Sequence, residues 1–190
     1  MPIEILTFGD LVGGYPQAQN GANNAIINDN STWFLDVGKN LAYGDMVVKG
    51  LSDSENLVAS STIGGIEIIL EDAGTDSTST TSFDVEIFHQ PTGEFSSTIT
   101  THLPAGSISS PTDISVGGSE ILWGKSWTVA DIFHDDFSVH LDNAQEPGGG
   151  IALISSFIYL KVHYAVGASL AGAIKLTGGS IILEGKLSLS

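Results

Sequence analysis

Residues 122–141, LWGKSWTVADIFHDDFSVHL, place two histidines, three aspartates and two tryptophans within twenty positions. His134, Asp135 and Asp136, with His140 four residues on, are of the types that ligate a metal or relay protons. A hydrolytic metal centre needs at least three ligands converging from rigid neighbouring elements. The other histidines, 89, 102 and 163, lie on or beside stretches of strand character, and no helical scaffold accompanies them. The run therefore reads as a solvated turn, with His140 on the polar side of the next strand beside Ser138 and Asp142. Nucleophilic catalysis has no clearer signature. Serines are abundant, but no Gly-x-Ser-x-Gly elbow joins a strand to a helix, although a triad is defined by geometry rather than by spacing. Among 22 acidic residues no pair stands out for glycoside hydrolysis. The glycine-rich PGGG and TGGS lack the lysine and helix start of a phosphate loop. No catalytic residue is assigned, and the chain is not expected to be an enzyme.

Two binding chemistries remain. The segment EDAGTD sets Glu71, Asp72 and Asp76 in one loop of hard oxygen ligands, which suits calcium, though no EF-hand pattern is present. The alternative is a solvated acidic loop, and no other cofactor is expected. Trp33, Trp123 and Trp127 admit a sugar-stacking platform or, as the bland alternative, plugs of a core and its strand ends.

Composition narrows the partners. The 190 residues carry six lysines, no arginine and 22 acids, for a net charge of −16. Without arginine there are no bidentate phosphate forks, and the charge repels nucleic acid and anionic lipid. Neither is expected as a partner. Cysteine is absent, so disulfides and thiolate metal sites are excluded. The N-terminus MPIEILTFGD has no basic region or long apolar run, so a signal peptide is not expected. No stretch reaches the roughly 18–20 apolar residues of a membrane-spanning helix.

The elements that would position any site are strands. In GGIEIILED, Ile66, Ile68 and Leu70 alternate with Glu67 and Glu71. In FDVEIFHQ, Phe83, Val85 and Ile87 alternate with Asp84 and Glu86, and FSVHLD repeats the pattern with Phe137, Val139 and Leu141. FIYLKVHYAV fills two faces, Ile158, Leu160, Val162 and Tyr164 on one and Phe157, Tyr159, Lys161 and His163 on the other. A period of two marks half-buried antiparallel strands, and the Gly, Pro and Ser turns between them point to a sandwich or barrel. One helical turn is expected in SWTVADIF, capped by Thr128 with Asp131 as the capping-box acid. Val129, Ala130 and Ile132 would tuck against the sheet.

The last 25 residues differ. With two lysines and one glutamate they carry +1, leaving −17 on the first 165. Short strands are expected at Ile174–Leu176 and Ile181–Leu183, joined at Gly178-Gly179, with Leu187 and Leu189 beyond. A two-stranded ribbon is marginal by itself and needs a second surface. It either completes the home sheet or reaches a neighbouring subunit. The division carried forward is a β-sandwich over residues 1–165 and a β-arm over 166–190. Ile174, Leu176, Ile181, Leu183, Leu187 and Leu189 are its candidate subunit contacts.

Residues 122–164 resemble a β-sandwich module of bacteriophage virion proteins that also occurs in some bacterial surface proteins. The resemblance rests on Leu122, Trp123, Gly124, Trp127, Thr128, Asp131, Ile132, Phe137, Val139 and the run Ile158 to Tyr164. Upstream, Trp33 and the Gly65-Ile66-Glu67-Ile68 strand match the module's early strands, extending the likeness over about residues 20–165. Ser138 departs from the pattern, which has glycine there. The resemblance implies an all-β, antiparallel, jelly-roll-like sandwich of virion exteriors, without a catalytic apparatus. The expected role is a capsid decoration or cement protein, located on the virion, homotrimeric, with the major capsid protein or other virion proteins as partners. Alternatives are a tail, collar or fibre component, or a carbohydrate-binding adhesin domain.

Overall fold

The computed structural model describes residues 1–12, 33–35, 46–75, 77–89, 92–145, 153–166, 172–177 and 180–185. In chain order the strands are β1 (Ile3–Val12), β2 (Trp33–Leu35), β3 (Met46–Leu51), β4 (Thr62–Ala73), β5 (Thr81–His89), β6 (Glu94–Phe95), β7 (Ile99–Leu103) and β8 (Thr112–Gly117). A single-turn helix α1 (Val129–Ile132) precedes β9 (Ser138–Gln145), β10 (Leu153–Ser155), β11 (Phe157–Ala165), β12 (Gly172–Thr177) and β13 (Ser180–Gly185). Every described strand pairing is antiparallel.

The first sheet runs β1-β11-β4-β8 and the second β3-β9-β5-β7, with β6 continuing the β7 edge. If the eight long strands are counted in chain order, these sheets are 1-8-3-6 and 2-7-4-5. That is the order of a jelly roll, two Greek keys folded face to face. The expected all-β antiparallel sandwich is therefore the architecture. β1 belongs to both sheets: Ile3–Thr7 pair with β11, and from Phe8 onward the strand pairs with β3. The two sheets thus form one curled nine-stranded surface.

The core follows from strand parity. Leu6, Leu160, Ile68 and Val116 lie side by side across the first sheet, and all are buried. Opposite them, Val48, Val139 and Ile87 form a second buried row. Burying such side chains contributes about 1.5–3 kcal/mol each, which fixes the register, because a one-residue slip would turn every one of them outward. The outer face of β11 is also partly covered, with Phe157 and His163 buried there.

The apolar C-terminal segment forms the anticipated ribbon. β12 and β13 pair with each other, matching Ile174 with Leu183 and Leu176 with Ile181, so register places these four on one ribbon face. Among the described residues the ribbon pairs with no strand of the sandwich. Leu187, Leu189 and the Gly178-Gly179 junction lie outside the described residues. No described helix is long and apolar enough to cross a membrane.

Candidate functional site

The connection from β8 to β9 carries the chain from one sheet to the other, and it is built on tryptophan. Trp123 is only 2% exposed, and its indole Nε1 donates to the Ile66 carbonyl at 2.9 Å. To aim inward it adopts a left-handed backbone, φ 55°, followed by Gly124 at φ 69°. Gly117 (φ 96°) lies against this ring, where an added Cβ would come within 2.3 Å of the Ile66 oxygen and 3.0 Å of the indole. Trp127 donates to the Leu122 carbonyl at 2.9 Å and meets Phe137 and His89 edge to face.

Thr128 then caps α1 as expected. Its Oγ1 accepts from the Asp131 amide at 3.2 Å, while the Asp131 carboxylate accepts from the Thr128 amide at 2.7 Å. Ile132 is buried, but Ala130 is exposed rather than tucked in, because a four-residue helix can turn only one flank to the core. Burial of Trp123 and Trp127 rules out their use as an exposed sugar platform. The side chain of Trp33 lies outside the described residues.

His134, Asp135 and Asp136 are exposed, and the Asp136 amide donates to His134 Nδ1 at 3.1 Å, closing the turn on itself. His89 is buried, with Nδ1 3.0 Å from the Thr92 hydroxyl and Nε2 3.9 Å from the Asp131 carboxylate. His163 Nε2 lies 3.0 Å from Glu67 on the outer face of the first sheet, and His102 is exposed on β7. Among the described residues no three His, Asp or Glu side chains form a group able to hold a metal ion.

Of the calcium candidates, Asp72 sits at φ 49° and its carboxylate accepts from the Ser156 hydroxyl at 2.9 Å. The Asp72 amide donates to the Asp113 carboxylate at 3.1 Å. Burial, with the charges of Asp113 and Asp72, pushes the Glu71 carboxyl above its ordinary range. Asp76 lies outside the described residues.

The outer face of the second sheet carries a concave feature that four strands and the turn before β9 build together. That face is mostly polar: Glu86 accepts from Thr98, and Asp84 accepts from Thr100 at 2.6 Å. At the end nearest α1 the chemistry changes. Lys49, Ser138, Phe88 and Phe95 stand side by side in register across β3, β9, β5 and β6. Val47 and His140 make the next row, and Asp136 closes the rim. These residues line an open groove of about 470 Å³. Phe95 is 43% exposed and meets the Phe88 ring at 5.4 Å and the His140 ring at 4.7 Å, both edge to face. His140 Nε2 lies 3.1 Å from the Ser138 hydroxyl.

His140 and Ser138 do face outward as their parity requires, but Ser138 is buried on the groove floor rather than solvated. Sequence reasoning did not single out Phe88 or Phe95. The available signal was Phe88 at an outward position, in series with Asp84 and Glu86.

No family model matches the chain, and no curated protein matches it. A solved structure described as "Structure of PfGH50B" is similar over 82% of this chain, at 10% sequence identity and a TM-score of 0.43. The likeness covers 22% of that protein, so this chain spans about a fifth of its length.

Proposed function

We propose that the chain is a non-enzymatic structural protein of a bacteriophage virion, a decoration or cement protein that seats on the capsid exterior as a homotrimer. The observation that supports this reading is what the residues of the resemblance do. Leu122, Trp123, Gly124, Trp127, Thr128, Asp131 and Ile132 build one end of the sandwich through indole hydrogen bonds, a helix cap and left-handed turns. The motif is thereby spent on rigidity. A rigid sandwich is a platform whose use lies in the surfaces it offers to other chains.

The ribbon β12–β13 is the second support. A two-stranded ribbon with four apolar residues on one face is marginal in water, and subunits or capsid proteins would give it a surface to cover. The acidic body, at −17 without the last 25 residues, would keep decorated particles dispersed.

Co-sedimentation with purified empty capsids tests the reading, with light scattering for the oligomer. The full chain should be a trimer that pellets with capsids, and removal of residues 166–190 should weaken both properties. A monomer whose capsid attachment survives that truncation undiminished counts against it. Imaging of intact particles separates a capsid position from a tail, collar or fibre.

A further inference from the structure

The groove on the outer face of the second sheet has a composition that a docking platform alone does not require. Elsewhere on that face, outward side chains pair acid with hydroxyl, as Glu86 with Thr98 and Asp84 with Thr100. Among the described residues, the pattern gives way to exposed aromatic surface in the Lys49-Ser138-Phe88-Phe95 row. Hydrogen-bonding groups of every kind surround that surface: the Lys49 ammonium as donor, the Asp136 carboxylate as acceptor, and the Ser138 hydroxyl beside the His140 imidazole. Lys49 has no ion-pair partner among the described residues, whereas Lys125 pairs with Glu94 at 2.9 Å and Lys161 approaches Glu67 at 4.0 Å.

We propose that this groove binds a neutral saccharide, with a sugar ring lying on Phe95 and its hydroxyls engaging Lys49, Asp136 and the Ser138–His140 pair. A pyranose alternates apolar C–H faces with equatorial hydroxyls, so it needs an aromatic surface and both donors and acceptors at its margin. A purely apolar peptide would make no use of Lys49 and Asp136 at the groove margin. Charge selects the neutral class. Lys49 and Asp136 cancel within the groove, while the chain as a whole carries −16, so an acidic polymer would be repelled before it reached the site. The volume of about 470 Å³ falls within the range of ligand sites, and the open shape admits an internal stretch of a long glycan.

The proposal makes no use of the ribbon or of capsid attachment, so the two readings stand or fall separately. Affinity electrophoresis of the full chain, in gels containing dextran, xyloglucan or galactomannan and in a parallel gel with polygalacturonate, tests it. At least one neutral polymer should retard the native chain. Phe95→Ala and Lys49→Gln should each weaken that retardation about ten-fold or more, the size expected for loss of a central anchor. Both side chains lie on the sheet surface, so melting temperatures should stay unchanged and certify the fold. Absence of retardation in every neutral gel, retardation undiminished in folded F95A, or retardation by polygalacturonate alone overturns the proposal.

Discussion

Glu67 and Glu71 stand four residues apart on the outer face of β4, yet their surroundings push their carboxyls in opposite directions. Burial pushes Glu67 up, but hydrogen bonds from Ser115 and His163 and the charge of Lys161 outweigh it and hold the carboxyl below its ordinary range. Its contribution is therefore in place above the usual glutamate range, near pH ~4.3, and is lost as pH falls through the lowered folded value. Glu71 has the reverse sign, because burial and the neighbouring Asp113 and Asp72 charges disfavour its ionised form. Glu67→Gln should destabilise the protein at pH 7 and Glu71→Gln should stabilise it, each by about 0.5–1 kcal/mol after solvent screening. Both differences should shrink towards zero on acidification below about pH 4. Urea titrations at pH 7 and pH 3.5 check this, and two shifts of the same sign at pH 7 would contradict it. The identities of the two residues are plain in the sequence, but their opposite behaviour is not. It depends on β8 and β11, which supply Ser115, Asp113, Lys161 and His163 from at least 42 residues away in the chain.

At the scale of elements, local rules succeeded where a single segment carried the whole pattern. Period-two alternation gave the correct inner faces of β4, β5, β9 and β11, since burial repeats along each strand. The Thr128–Asp131 spacing gave α1, because a capping box closes within four residues. The groove escaped notice because β3, β5, β6, β9 and the turn before β9 each supply only one or two of its residues. An outward phenylalanine on one strand says little until Phe95 is known to be its cross-strand neighbour. The left-handed backbone of Trp123 was equally hidden, since tryptophan has no preference for it. The cap makes a clean test of the plug. Thr128→Ala removes the acceptor for the Asp131 amide and should cost about 1 kcal/mol. Chemical denaturation measures it, and a loss under a few tenths of a kcal/mol would mean that Trp127 and Ile132 hold this end without the cap.

For the molecule as a whole, charge and topology act in opposite senses. A net −16 on 190 residues sets the compact state against its own repulsion, and salt relieves that strain over a screening length of about 8 Å at physiological ionic strength. The melting temperature should therefore rise by about 2–4 °C between 10 and 150 mM sodium chloride, the shift that roughly 1 kcal/mol produces in a domain of this size. Scanning fluorimetry follows it directly, and a melting temperature that falls with salt would show that attractive pairs, such as Lys125 with Glu94, dominate instead. Topology counters the repulsion through β1, whose first half is zipped to β11 and whose second half is zipped to β3. A tether pulling on the N-terminus would meet the Ile3–Thr7 ladder with β11 first and the ladder with β3 behind it. A protein tugged at that end would resist as a clasp with two rows of fasteners does, the second row holding after the first has opened.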